Sequence, residues 1–231
     1  MSDLFLDAFS AIESRMKVVD VIANNLANAN TVGFKRDFST ILKLESGNDT
    51  ASQVDLSSGD LINTGNELDA ALSGPGMFVI DTPSGQRYTR AGNFALNGAG
   101  ELVTKDSMKV LSTSGTPIVI GEGKAEIRDG GVVMVDGNEV ATLKVVSFSD
   151  PVFLEKEGAN RLAWNGLPSG VQPVSEPQIK GGYLERSNVN SVDEMVHLMG
   201  AYREFEAVQK TLKTLMTEMN AKLIQELGRL Q

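Results

Sequence analysis

The sequence predicts an α+β protein in which N- and C-terminal helices form a coiled-coil-like pair enclosing an inserted antiparallel β-rich domain. Three observations predict it. Apolar residues recur at steps of three and four at both ends of the 231-residue chain, the spacing of a single helical stripe. Between the ends, short alternating runs are separated by turn signals such as Asn97-Gly98 and Asp136-Gly137. With 41% hydrophobic residues the chain can bury a core, and its length allows one elongated subunit or two small domains. The expected divisions are an axial helix at 1–36, an extended connector at 37–68, a β-rich outer domain at 69–165, a returning connector at 166–190 and a second axial helix at 191–231.

In the first element, Phe5, Phe9, Ile12, Met16, Val19, Ala23 and Leu26 fall on one stripe of a helix from about Asp3 to Ala29. At 1.5 Å per residue it spans ~40 Å, and nothing else in the first thirty residues covers its stripe. Asn28, Asn30 and Thr31 weaken the helix. Gly33 suits the left-handed residue after a helix end, Phe34 supplies the apolar contact of such a cap, and Lys35 and Arg36 complement the negative end of the dipole.

At the other end, Ser191 and Glu194 read as a capping box opening a helix from about Val192 to Leu227. Its stripe runs through Met195, Leu198, Tyr202, Phe205, Val208, Leu212, Leu215, Met219, Leu223, Leu227 and Leu230, a spacing that predicts left-handed supercoiling with another helix. Two isolated helices bury one stripe each and are marginal against ordering entropy of ~1 to 2 kcal/mol per residue. Neighbouring copies are therefore expected to supply the missing burial; an ordinary intramolecular coiled coil capping a globular domain fits the same spacing. Asn24, Asn25, Asn28 and Asn30 disfavour a helix interior, so they mark a frayed end or offer amides to neighbouring chains.

For the middle, the expected strands are Met77–Asp81, Arg87–Ala91, Asn93–Leu96, Glu101–Thr104, Pro117–Ile120, Ala125–Arg128, Val132–Val135 and Glu139–Phe148. Tyr88 and Arg90 share one strand face, where cross-strand packing accounts for them. Pro168, Pro173 and Pro177 mark the returning connector.

Composition excludes much chemistry. There is no cysteine, and the single histidine, His197, rules out a multi-histidine metal site within one chain. Residues 37–186 hold 20 acids against 12 bases, most of the net charge of −9, a balance that disfavours nucleic acid and anionic lipid. Gly74-Pro75-Gly76 and Gly98-Ala99-Gly100 lack the Lys-Ser/Thr of a phosphate loop. Neither a catalytic residue nor a cofactor or metal ligand emerges, and the chain reads as no enzyme. The first residues carry Asp3 and Asp7 with no basic region before an apolar run, so a cleaved signal peptide is not expected, nor is membrane insertion.

Ala23-Asn24-Asn25-Leu26-Ala27-Asn28-Ala29-Asn30-Thr31-Val32-Gly33-Phe34-Lys35-Arg36 resembles the N-terminal signature of the bacterial flagellar rod and hook axial family. Gly74-Pro75-Gly76-Met77-Phe78-Val79-Ile80, Tyr88-Thr89-Arg90-Ala91-Gly92-Asn93-Phe94 and Gly100-Glu101-Leu102-Val103 resemble its β-domain motif, and Gly182-Tyr183-Leu184-Glu185-Arg186-Ser187-Asn188-Val189-Asn190 resembles the approach to its C-terminal helix. Pro75, and Met77 where the family favours Phe, depart from the pattern. Tyr202-Arg203-Glu204-Phe205-Glu206 and the short Asp37–Gly59 segment are more similar to the proximal-rod type than to the distal-rod type. The resemblance implies a subunit exported unfolded by the flagellar type III apparatus without a cleaved signal peptide. Together with copies of itself and other rod and hook-basal-body proteins, it would build a hollow, torque-transmitting tube across the periplasm. The expected assembly interface is Phe5, Phe9, Ile12, Met16, Val19, Asn24, Asn25, Leu26, Asn28, Phe205, Leu212, Leu215, Met219 and Leu223. A distal-rod subunit, and outside the family a secreted binding module or cell-wall enzyme on a coiled-coil stalk, are the alternatives.

Overall fold

The computed structural model describes residues 2–44, 47–121, 123–158 and 160–227. They form two compact units. One comprises residues 1–26, 37–52 and 190–231, the other residues 27–36 and 53–189.

The first unit contains helix α1 (Ser2–Ala27), helix α2 (Ser191–Leu227) and most of a hairpin of strands β1 (Asp37–Leu44) and β2 (Gly47–Val54). α1 has no internal Gly or Pro. It stops two residues before the expected Ala29, because the Asn28 carbonyl accepts from Thr31 N–H and the Asn28 side-chain oxygen from the Thr31 hydroxyl, closing a turn. α2 begins where expected, but its cap is Asn190: the Asn190 side-chain oxygen accepts from Val192 N–H at 3.0 Å. Ser191 lies inside the helix and Glu194 N–H donates to the Asn190 carbonyl at 3.0 Å, so Asn190 takes the place expected for Ser191. An Asn one position earlier reaches the free N–H groups first. The expected extended connector at 37–68 is also corrected. Its first part is the β1–β2 hairpin, in which the two strands pair their backbone groups with each other.

The second unit holds sixteen strands among the described residues. Eight lie in its first half: β3 (Leu61–Asn63), β4 (Ala70–Leu72), β5 (Met77–Thr82), β6 (Gly85–Thr89), β7 (Ala95–Leu96), β8 (Leu102–Val103), β9 (Lys109–Val110) and β10 (Ala125–Ile127). Eight follow: β11 (Val132–Val135), β12 (Asn138–Thr142), β13 (Val145–Phe148), β14 (Leu154–Lys156), β15 (Leu162–Trp164), β16 (Val171–Pro173), β17 (Ile179–Gly181) and β18 (Tyr183–Glu185). A nine-stranded sheet runs β14-β15-β6-β5-β9-β8-β7, with β13 pairing both β5 and β16. A three-stranded meander, β10-β11-β12, and two small sheets, β17-β4 and β18-β3, complete the unit. Every pairing of these strands is antiparallel.

The expected Glu139–Phe148 strand is two strands, because the chain leaves the meander after Thr142 and Val145 and Val146 pair with Phe78 and Met77. The expected Pro117–Ile120 strand is reduced to the isolated bridges Leu111↔Pro117 and Glu101↔Val119, as proline offers no N–H to a ladder. Two apolar clusters fill the unit. Phe78, Ile80, Leu102, Ile118 and Leu143 belong to one, with Phe78 and Phe94 edge to face at 5.3 Å. Met77, Val79, Tyr88 and Leu154 belong to the other. Each fully buried aliphatic or Phe side chain contributes about 1.5 to 3 kcal/mol. The chain thus assigns alternate residues of β5 to opposite clusters, as the pleat requires.

Candidate functional site

In the second unit, three distant stretches of the sequence converge on one carboxylate. Glu185 is 0% exposed. Its Oε1 accepts from Lys35 Nζ at 2.6 Å and from Gly59 N–H at 2.9 Å, and its Oε2 accepts from Arg90 Nη1 at 3.0 Å. Lys35 also donates to the Ser57 carbonyl at 2.6 Å, and Arg90 Nη2 to the Gly74 carbonyl at 2.9 Å. The backbone joins in, since Gly33 N–H donates to the Glu185 carbonyl at 2.8 Å. Three residues further on, the Asn188 side chain accepts from Arg36 N–H at 2.7 Å and donates to the Asp55 carbonyl at 3.0 Å.

Local structure places each member. Glu185 ends β18, whose pairing with β3 fixes it opposite Leu61. Arg90 directly follows β6. Lys35 follows the turn after α1, where Gly33 has φ +67° and an added Cβ would lie 2.3 Å from Ala91 N. Gly92 is equally constrained: its Cβ would fall 1.6 Å from the Ala70 carbonyl oxygen. Phe34 is wholly buried, with Lys156 Nζ 3.8 Å above its ring. Gly33 therefore has the left-handed conformation the sequence suggests, but within this crossing and not as the cap of α1.

Two cations enclose one anion away from water. Desolvation pulls the Lys35 pKa below its ordinary value; attraction to Glu185 opposes this and repulsion from Arg90 adds to it. A carboxylate so enclosed meets no solvent, so its chemistry is electrostatic cross-linking. It ties the chain leaving α1, the chain leaving β6 and the chain entering α2. Sequence reasoning missed this: it assigned Lys35 to the helix dipole and Arg90 to cross-strand packing. The retrievable signal was that the three quoted motifs each carry one member; the 150-residue separation of Lys35 and Glu185 hides their pairing.

In the first unit, the structure brings α1 and α2 together at an ion pair, Arg15–Glu204, and at a groove of about 520 Å³ that Ile12 lines with Leu212, Lys213 and Met216. Along α2, Glu194, Leu198, Ala201, Phe205, Val208, Leu212, Leu215 and Met219 are buried or half-buried at alternating steps of four and three. Val19, Leu26 and Ile12 are half-buried too, whereas Phe9 is 59% and Met16 50% exposed. Val192, Met195, Val196, Met199 and Tyr202 form a further exposed apolar stretch on α2. Asn25 is buried, and its amide pairs with the Asp37 backbone in both directions at 2.9 Å. That corrects its expected role toward neighbouring chains: one amide matches one peptide unit, and both its polar atoms are engaged. Asn24 is exposed, and Asn28 serves the turn after α1. Phe5 and Leu223 lie outside the residues whose side chains are described.

Three family models match the chain in order along its length. Flagella basal body rod protein matches residues 8–35, flagellar hook protein FlgE/F/G D1 domain residues 71–141, and flagellar basal body rod FlgEFG protein C-terminal residues 180–226. Lys35, Arg90 and Glu185 fall one in each. Over 246 residues the chain is 33% identical to the flagellar basal-body rod protein FlgG of Bacillus subtilis, covering 89% of this chain and 92% of the relative. It is 31% identical to the rod protein FlgF of Caulobacter vibrioides, with 92% of each covered, and 31% identical to FlgF of Rhizobium meliloti, with 95% and 97% covered. The fold and these likenesses define a flagellar axial protein. More particularly, the chain belongs to the flagellar basal-body rod protein family of the FlgF and FlgG type.

Proposed function

We propose that this chain is a structural subunit of the bacterial flagellar basal-body rod. It polymerises through its terminal helices, in coiled-coil-like pairing, into a hollow, torque-transmitting tube that crosses the periplasm. Its partners are copies of itself and other rod and hook-basal-body proteins. It reaches them through the flagellar type III export apparatus, without a cleaved signal peptide, and it acts without catalysis.

One observation carries the reading. Phe9, Met16, Val192, Met195, Met199 and Tyr202 are each at least half exposed in a single chain, on the two helices whose opposite faces are already covered. Exposed apolar residues concentrated on these helices mark an interaction surface, and a heterologous contact between successive copies gives an open helical array. Relatives bear both the FlgF and the FlgG name at similar identity; the short segment between Asp37 and Gly59 favours the proximal type.

Phe9→Asp and Met199→Asp test it. Both positions face solvent in one chain, so the isolated subunit unfolds at an unchanged midpoint, while an unpaired charge in a packed interface costs several kcal/mol. The variants are expected to be exported but absent from purified basal bodies, and the cells non-motile. Normal motility with the variant incorporated would overturn the assignment of this face.

A further inference from the structure

We propose that Ile179–Val189 is a releasable strap: it docks last and detaches first, and its release frees the chain after α1 while the nine-stranded sheet stays folded. The inference is independent of the assembly reading, since every contact it uses lies in the second unit.

The strap's partners are remote in sequence. β17 pairs with β4 through Ile179↔Leu72, and β18 with β3 through Tyr183↔Asn63 and Glu185↔Leu61. Both are two-stranded sheets, so β3 and β4 have no other strand partner among the described residues. The side-chain bonds of Glu185 and Asn188 reach back 95 to 152 residues, to Arg90, Lys35 and Arg36. Closing contacts of such separation costs loop entropy before they are rewarded.

The sheet, in contrast, is self-sufficient. The cluster of Val54, Met77, Val79, Tyr88, Leu111, Val146, Leu154 and Leu162 contains no strap residue, and the larger cluster takes only Ile179 from it. The strap's strands are three residues long, and its entry is broken by Pro173 and Pro177. The two ladders hold it, with a bond from Gly181 N–H to the Asp129 side chain at 3.1 Å, and the charge crossing fixes its seat. A buried ion pair offsets a large desolvation cost, so the closed state gains little from it, yet removing the anion strands two cations. Until Glu185 arrives, Lys35 and Arg90 keep their water, and the slot between them stays open. Glu185 is thus the latch, and the segments it closes on, residues 33–36 and 57–66, are released with it, while Ala70 and Leu72 stay in the larger cluster.

Native-state hydrogen exchange on the full chain tests this. Thr64 N–H, Gly182 N–H and Arg186 N–H bond across the strap; Leu111 N–H bonds to Val79 and Val79 N–H to Lys144 within the sheet. In low denaturant the strap amides are expected to exchange together, through an opening at least about 10-fold more frequent than that of the sheet amides. In Glu185→Gln, which raises the closed state against both openings, strap and sheet exchange each rise at least about 100-fold. In Val146→Ala, buried in the sheet away from the strap, sheet exchange rises at least about 5-fold while strap exchange changes less than about 3-fold, because the strap opens with the sheet still folded. A single opening shared by both sets in the unmodified protein, at every denaturant concentration, would overturn the proposal. So would an equal acceleration of both sets by Val146→Ala. If Glu185→Gln does not fold, the unmodified chain and Val146→Ala decide.

Discussion

Replacing Glu185 by Gln tests the energetics of the charge crossing most directly. The amide keeps the carboxylate's shape and still accepts one hydrogen bond, so little packing changes; what goes is the negative charge beside Lys35 and Arg90, which are 3% and 2% exposed at their side chains. Two cations then lie in the interior with no counter-charge. Breaking a buried ion pair by removing one partner costs about 3 to 5 kcal/mol, a large part of the ~5 to 15 kcal/mol that holds a domain together. The assay is equilibrium unfolding in urea. Trp164, the single tryptophan, reports it, because its ring stacks on Phe148 at 5.2 Å in the second unit. An unchanged slope with a midpoint lowered by the equivalent of about 3 kcal/mol is expected. A loss below about 1 kcal/mol would refute the reasoning and mean that water reaches the site. The triple replacement Lys35→Met, Arg90→Met, Glu185→Leu should recover most of the loss, since apolar substitutes of similar volume often match a buried ion cluster.

Other outcomes follow from the same geometry. Gly33→Ala combines a left-handed backbone with a Cβ 2.3 Å from Ala91 N, and should lose at least about 1 to 2 kcal/mol in the same unfolding assay, while Gly98→Ala, with nothing within 4 Å, stays within about 0.5 kcal/mol of the parent. Lys35 has a folded pKa below its ordinary 10.5, so the unfolded chain binds more protons in the window between the two values and stability from this group rises as pH climbs through it. The difference in unfolding free energy between the parent and Lys35→Met should therefore widen from neutral pH toward 10.5; a gap that narrows would mean that Glu185 raises the Lys35 pKa. Asn25→Ala removes both bonds to the Asp37 backbone and leaves a buried peptide unit unsatisfied, which should cost about 1 to 3 kcal/mol and raise exchange at Asp37 N–H.

The elements whose signal is local were legible in the chain. The 3-4 spacing from Phe205 to Met219 reappears as the half-buried face of α2, with Ala201 where the spacing placed the exposed Tyr202, and turn glycines bound strands such as β5 and β11 where alternation placed them. The quoted motifs were likewise enough to reach the rod family, because each is contiguous. Short strands without alternation escaped: β3, β4, β17 and β18 are three residues each and exist only because the other strand of each pair lies more than 100 residues away. Asn25 looked like a polar interruption of a stripe until the Asp37 backbone was placed beside it. The charge crossing belonged wholly to the tertiary structure. Lys35, Arg90 and Glu185 are three ordinary charged residues in the chain, and only burial in one place, where an unpaired charge is costly, makes them depend on one another.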